Sequence, residues 1–270
     1  MPAGKIKNLI IVILALANCF LLLLVVPSRV ENARRRQTEA QRLSELFLRA
    51  DVELQEEVIP ESKKLYPVKL SYSKDALLTV LRELLGTEVL SSETTYHTEY
   101  TSKQGKAVVD GGKLIVTLSP GRTVQTAAIL AEWGDSWSAP RKTMEDGREI
   151  ETCRRLVDGV PVRNGELRLI RENGVLVALE SAILPTTAGS LRYDDTCCCT
   201  AQDALTAFWS SRPEVGWIGS RIVSVEQSFM LTDSDAPATV RLRPCWAVST
   251  DCGEYFVDGL DRTVTISTKF

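Results

Sequence analysis

The sequence predicts an α+β protein: one N-terminal transmembrane helix, a juxtamembrane helix, then antiparallel sheets with packed helices and signs of a duplicated helix plus sheet unit. Three observations predict it. Residues 9–26 (LIIVILALANCFLLLLVV) form an uncharged apolar run close to the start of the chain. Beyond it, apolar residues recur at helical spacing in only a few short stretches. Most of the remainder is β-type runs separated by Asp-Gly and Asn-Gly pairs, the turn chemistry of antiparallel hairpins. The expected parts are a cytoplasmic tail at 1–8, the span at 9–26, a juxtamembrane helix and linker at 27–60, and two α+β units at 61–140 and 141–270.

A bilayer core needs roughly 18 to 20 helical residues at about 1.5 Å each, so 9–26 is just long enough to cross one. A cleaved signal peptide carries a shorter apolar core and a small-x-small site, which Val26-Pro27-Ser28-Arg29-Val30 matches poorly. Leu16-Ala17-Asn18-Cys19 resembles a lipoprotein box, but Asn18 sits where a small residue belongs and the apolar run continues past Cys19. An uncleaved anchor fits best. Ile11, Leu14, Asn18 and Leu22 are its expected partner-facing residues. Asn18 is either simply tolerated or hydrogen-bonds another helix, an interaction worth about 0.6 to 2 kcal/mol. Lys5 and Lys7 precede the span and Arg29, Arg34, Arg35 and Arg36 follow it, so the positive-inside count favours a cytoplasmic body. Interleaved Glu31, Glu39 and Glu45 weaken that count, and charge alone leaves the orientation open.

Residues 29–58 are rich in Arg, Glu, Gln, Leu and Ala with no Gly or interior Pro, which predicts a helix continuing out of the membrane until Pro60. Ala40, Leu43, Phe47, Ala50 and Leu54 make an a/d seam over about two heptads, too few to argue a coiled coil. The seam predicts one stripe laid on the domain or on a partner, with Leu43, Phe47 and Leu54 as candidate contacts. Ser73 caps a helix at 74–85 that gathers Leu77, Leu78, Leu81, Leu84 and Leu85 on one face, with Gly86 as its stop. Residues 93–101 are β-prone, and Asp110-Gly111-Gly112 turns into a strand at 113–118. A turn or two of helix is expected at 127–133 and a loop at 134–147. Between 156 and 180, Asp158-Gly159, Asn164-Gly165 and Asn173-Gly174 each sit between β-type runs, predicting a meander with a tight hairpin at each pair. Thr200, with Asp203 three residues on, opens a helix through 211 whose apolar face is Ala204, Leu205, Phe208 and Trp209. Strands at 221–231, 240–249, 254–257 and 263–268 follow. Asp75-Ala76-Leu77 and Asp203-Ala204-Leu205 both open helices that several strands follow, which suggests the duplication.

Reactive chemistry is sparse. The chain beyond the span suits one large domain or two small ones, and 44% hydrophobic content is enough for a core. A net charge of −3 without a basic, aromatic-interleaved stripe speaks against a nucleic-acid partner. The single histidine, His97, lies in the β-prone segment with no Gly-x-Ser-x-Gly elbow to serve, and reads as a sheet residue. No zinc-protease, phosphate-loop or dinucleotide fingerprint is present. Cys153, Cys197, Cys198, Cys199, Cys245 and Cys252 lie beyond the span. Three adjacent cysteines cannot all pair with one another, so no disulfide framework is expected. As a metal set, Cys197-Cys198-Cys199 would alternate faces on an extended segment and lacks the usual ligand spacing. Asp194-Asp195 and Glu56-Glu57 read as solvated residues. No catalytic, cofactor-binding or metal-binding residue is predicted.

Lys5-Ile6-Lys7-Asn8 ahead of an immediate span, with Arg243-Pro244-Cys245-Trp246-Ala247-Val248 and Gly253-Glu254-Tyr255-Phe256-Val257-Asp258 near the end, resembles YycI-type regulatory proteins of the YycH/YycI family. The Pro-x-Trp strand and Tyr-aromatic-Val-Asp hairpin, the Asp158-Gly159-Val160-Pro161 turn and the Asp203-Ala204-Leu205 helix start are similar to PepSY-like domains. The resemblance implies a bacterial plasma-membrane protein crossing once, its N-terminus cytoplasmic and its C-terminal domain extracytoplasmic. It implies a non-enzymatic regulator of a WalK-type (YycG) sensor histidine kinase, in a two-component system controlling cell-wall metabolism. A YycH-like sister protein would be the other partner, with no cofactor or small-molecule substrate. Pro244, Trp246 and Tyr255 would build the last hairpin, with Trp246 under the 200–211 helix. Two other readings remain: a PepSY-like ligand-binding or peptidase-inhibiting module, and a bitopic cell-division scaffold resting on the seam of residues 40–54.

Overall fold

The computed structural model describes residues 11–18, 20, 37–94, 97–119, 126–133, 136–187, 189–232 and 239–266. Residues 11–18 and 20 are helical and exposed, so Ile11, Leu14 and Asn18 are placed, whereas Leu22 and much of the expected span lie outside the described residues. Among the described residues, no helix is long and apolar enough to cross a membrane.

The juxtamembrane helix is shorter than its composition suggests. Helix α1 (37–48) stops where Asp51 takes a left-handed φ of 58°. Val52 N–H then reaches back to the Phe47 carbonyl and Asp51 N–H to that of Leu48, the paired bonds that close a helix end. Residues 52–54 are extended instead, because Val52 and Leu54 must both enter the core while Glu53 bridges Arg221 alongside. A 3-10 turn at Glu56–Val58 follows. The seam is thus used up inside the molecule. Phe47 and Leu54 are buried, Leu43 packs against the same core, and the Phe47 ring meets Trp209 edge-on at 4.8 Å. Phe47 and Leu54 are therefore not open to a partner, while Leu43, Ala40 and Ala50 remain half-buried.

The first helix-plus-sheet unit runs β1 (Val68–Ser71), α2 (Lys74–Leu85), β2 (Leu90–Glu93), β3 (His97–Ser102), β4 (Gly105–Asp110), β5 (Lys113–Leu118) and α3 (Thr126–Trp133). Ser73 Oγ caps α2 by accepting from Ala76 N–H. The apolar face of α2, from Leu77 to Leu85, lies with α3 in a core shared with Tyr100, Leu114 and Val116. The expected loop at 134–147 contains β6 (Ser136–Trp137) and β7 (Arg141–Glu145). Almost all of β7 is exposed, so it has no apolar alternation to reveal it. The chain continues through β8 (Arg148–Val157), β9 (Val160–Glu172), β10 (Val175–Ser181) and β11 (Leu191–Arg192), then α4 (Ala201–Ser210), β12 (Ile222–Thr232), β13 (Thr239–Thr250), β14 (Glu254–Asp258) and β15 (Val264–Ile266). Thr200 and Asp203 form a complete reciprocal cap on α4. Each of α2 and α4 is followed by four strands paired antiparallel in consecutive order, β2 to β5 and β12 to β15.

Asp158-Gly159 and Asn173-Gly174 form the expected tight turns. Asn164-Gly165 does not. It lies within the continuous strand β9, where Asn164 alone takes the left-handed conformation, at φ 58°. A side chain at Gly165 would bring its Cβ to 2.8 Å from Val162 Cγ1. The pair is a crease, not a reversal. Before it, Val162 and Arg163 run parallel to β12; after it, Leu167 to Glu172 run antiparallel to β10. β8 lies antiparallel along β9 on both sides of the crease, with its register broken there. Val160 and Val162 enter the core under α4, while Leu167 and Leu169 enter the one under α2. The cores therefore do not follow the expected units at 61–140 and 141–270: β1 joins β13 in the α4 sheet, and β9 and β10 complete the α2 sheet.

Phe47 and Trp246 are both fully buried under or beside α4. Phe47→Ala and Trp246→Ala should each cost about 3 to 5 kcal/mol, read as a shift in the urea midpoint of the detergent-solubilised chain. A fragment starting at residue 61 should likewise be less stable than one starting at 37. Equal midpoints would remove α1 from the core.

Candidate functional site

The predicted C-terminal hairpin residues come together as a structural unit. Trp246 shares one core with Ala201, Ala204, Leu205 and Phe208 of α4, and its Nε1–H donates to the Cys199 carbonyl at 3.1 Å. Tyr255, on β14 opposite Val248, has its ring 5.2 Å from Phe208. Pro244 sits between the part of β13 paired with β1 and the part paired with β14. A residue without an N–H is tolerable there because the ladder on that side changes partner anyway. These residues hold the sheet rather than face a partner.

Three buried charges, Arg163, Glu151 and Arg171, are likewise tied up in pairs that fasten elements together. Arg163, at the crease, donates from Nη1 to Glu254 at 2.8 Å, from Nε to Ser228 Oγ at 3.2 Å, and from Nη2 to Glu226. It thereby links β9 to β12 and β14. Glu151 on β8 accepts from Thr126 at the start of α3 and pairs with Arg171 at 3.5 Å and Lys142 at 3.0 Å. Burial alone would raise its pKa, but the bonds from Thr126 and Lys142 and the Arg171 charge together hold it below the usual carboxylate range. Arg243 clamps Asp258 and Asp261 at 2.8 and 2.9 Å. His97 opens β3 and exchanges bonds with Thr94, which follows β2.

The six cysteines beyond residue 150 are free. Burial pushes the Cys153 thiol up to about 11 and the Cys245 thiol up to about 12, which keeps both protonated. No group of three or more His, Cys, Asp or Glu side chains among the described residues could hold a metal ion. Cys197 is exposed, Cys198 buried and Cys199 half-buried.

A recess lies between α2 and the outer strands of its sheet. Leu78, Leu81 and Arg82 from α2, Thr87 and Val89 from the connection, and Ser91 and Tyr100 from β2 and β3 enclose about 110 Å³. Gly86 makes the turn that places it, at φ 85°, where an added Cβ would press on the Gln104 side chain at 3.1 Å. Ligand pockets for small molecules run from about 300 to 1,000 Å³, so this recess suits a single side chain. Beside it, β2 is the end strand of the sheet, all four of its residues are exposed, and Leu90 retains 76% of its surface. Among the described residues β2 pairs only with β3, which leaves its other edge unpaired by them. Ser91 stands opposite Tyr100, both on the recess side. An added strand would set every second side chain on that side of the sheet. This site was not anticipated, because Leu90-Ser91-Ser92-Glu93 is short and polar and its value lies in having no neighbour.

No family model matches the chain. No curated protein matches it either. Among solved structures it is similar to the Bacillus megaterium YpeB C-terminal domain, with 11% identity and a TM-score of 0.39, over 74% of this chain and 100% of that one. A likeness so distant carries no argument for family or function.

Because the folded pKa of Glu151 is depressed, its stabilisation is fully present above the ordinary carboxylate range and is lost as pH falls through the lowered folded value. Glu151→Gln should therefore lower stability at neutral pH and flatten the acid limb of the stability curve. Denaturant midpoints across an acid-to-neutral series check this, and parallel curves for both proteins would show that Glu151 does not carry the acid sensitivity.

Proposed function

We propose that this chain is a membrane-anchored, non-enzymatic regulator whose extracytoplasmic domain works by protein contact. The observation that carries this reading is the open β2 edge beside the α2 recess. Main-chain bonds along such an edge supply affinity, and a recess that takes one side chain supplies selectivity, the division of labour in strand-addition recognition. The exposed Arg82 on the rim favours an acidic neighbour in the added strand. The apolar run at residues 9–26 supports the anchor, and the resemblance at residues 5–8 and 243–258 supports the partners: a WalK-type sensor histidine kinase controlling cell-wall metabolism, and a YycH-like sister protein. A regulator shifts a kinase between signalling states only by contacting those states with different free energy. In this reading Ile11, Leu14, Asn18 and Leu22 meet the partners' spans and the β2 edge meets a partner outside the membrane.

The recess between helix and sheet also favours the second reading, a PepSY-like ligand-binding or peptidase-inhibiting module. The two differ in whether the membrane span contributes to binding.

A reporter active only outside the cytoplasm, fused after Phe270, should be active. Replacing residues 9–26 with an unrelated apolar span of equal length should keep the anchor and reduce co-purification with the kinase, and Asn18→Leu should reduce it less. Ser91→Trp, which fills the recess from an exposed position, should weaken capture without changing the melting temperature. A swapped-span protein that captures the kinase normally and loses it only with Ser91→Trp would favour the second reading. Normal capture by all three variants would overturn both contact sites.

A further inference from the structure

The register of β2 fixes which of its residues can bond a further strand. Leu90 stands opposite Thr101, Ser91 opposite Tyr100, Ser92 opposite Glu99 and Glu93 opposite Thr98. At the end of the same ladder, Thr94 N–H donates to the His97 carbonyl at 3.0 Å. Facing residues in an antiparallel pair alternate between bonded and non-bonded. Leu90 and Ser92 therefore turn their backbone groups to β3, and Ser91 and Glu93 turn theirs to the edge that no described strand pairs. Side chains alternate between faces along the strand. Ser91 lines the recess, so Glu93, two residues on, stands on the recess side as well.

Two charges attend this edge. Arg82 is on the recess rim and Glu93 ends the strand, both are exposed, and neither has an ion pair among the described residues. Consider β2 laid antiparallel against a second β2 about a two-fold axis. Residues that bond outward must face residues that do the same, so the axis has to pass through a residue and not between two. At Glu93 it would oppose like charges. At Ser91 it would draw in Val89, which lies outside the strand. At Ser92 it opposes Ser91 to Glu93 of the second copy, twice over, and uses β2 alone. An axis of this kind stands perpendicular to the sheet, so both copies keep α2 on the same side. Glu93 of each copy then lies on the recess side of the other, beside Ser91 and facing the rim that carries Arg82.

We propose that β2 pairs antiparallel with β2 of a second copy about a two-fold axis at Ser92, joining two α2 sheets into one and setting Glu93 of each copy against Arg82 of the other. One self-complementary patch supplies both halves of the contact, as a two-fold interface requires. Stable interfaces bury about 1,200 to 2,000 Å², more than a strand of four residues contributes, so the pairing is concentration-dependent. The inference rests on the reading of this edge as a strand-addition site and names an occupant for it. Self-pairing closes the edge, and capture of another partner there has to separate the two copies first.

The full chain in detergent, carrying Ser92→Cys, is oxidised with copper phenanthroline and digested with trypsin. Residues 83–103 form one tryptic peptide without a native cysteine. Facing residues of a non-bonded antiparallel pair stand about 4.5 Å apart at Cα, within the roughly 4.4 to 6.8 Å that disulfides use. The expected product is that peptide joined to its own copy through position 92 and released by reductant. Ser91→Cys, which faces Glu93 instead, should cross-link several-fold more slowly. Added to Ser92→Cys, Arg82→Glu or Glu93→Arg should each cut the yield several-fold, and the two together should restore it, with melting temperatures unchanged. Faster cross-linking from position 91 than from position 92, or a double reversal that fails to restore the yield, would overturn the proposal. A wild-type chain that sediments as a monomer at every concentration, while Ser91→Trp still weakens kinase capture, would overturn this inference and leave the proposed function standing. A dimer that forms as described, with kinase capture indifferent to Ser91→Trp, would support the self-pairing and remove the kinase from this edge.

Discussion

Everything in this fold hangs on the crease in β9. One strand contributes Val160 and Val162 to the core under α4, and Leu167 and Leu169 to the core under α2. A straight strand cannot serve two sheets in this way, because its side chains alternate between two fixed faces and its neighbours stay the same. A single left-handed residue, Asn164, and the close approach of Gly165 to Val162 break that regularity without breaking the chain. Arg163 sits at the break and ties it to β12 and β14 through Ser228, Glu226 and Glu254. The interruption in the strand ladder is thus fastened by side chains where backbone pairing lapses. The two wings, each a helix over a sheet, are consequences of where that strand changes company.

The division of chemistry follows the same layout. Ionisable residues that would attract attention in isolation, Arg163, Glu151, Arg171 and Arg243, are held in ion pairs between strands. What remains accessible is peripheral: a strand edge and recess at the end of the α2 wing.

Sequence reasoning recovered the elements whose signals are local. The caps at Ser73 and Thr200, the leucine face of α2, the turns at Asp110-Gly111-Gly112 and Asn173-Gly174, and the burial of Trp246 under α4 are all set by nearest neighbours and periodicity. It went astray where tertiary demand overrode local preference. Residues 52–58 have helical composition, yet Val52 and Leu54 both needed to face inward, which only extended chain allows. Asn164-Gly165 has hairpin chemistry, but only one of its residues took the left-handed conformation. The strand at Arg141–Glu145 was invisible because an exposed, ion-paired edge has no apolar alternation. The β2 edge was unreadable for a deeper reason: a site defined by the absence of a neighbouring strand leaves no pattern in its own residues.

The insertion of Phe47 beside Trp209 makes α1 a plug joined to the domain by a covalent strap, and that has a proteolytic consequence. Arg49 is exposed just past the end of α1, between the plug and Val52. While the chain is whole, Phe47 faces its pocket at the high effective concentration of a tethered group, in the millimolar range for a short tether. A cut at Arg49 would turn that contact into an association between separate molecules, and dilution would empty the pocket. Release of the domain from its N-terminal segment and loosening of the core around α4 would then be a single event, so a shed fragment would differ in stability from the same residues still attached.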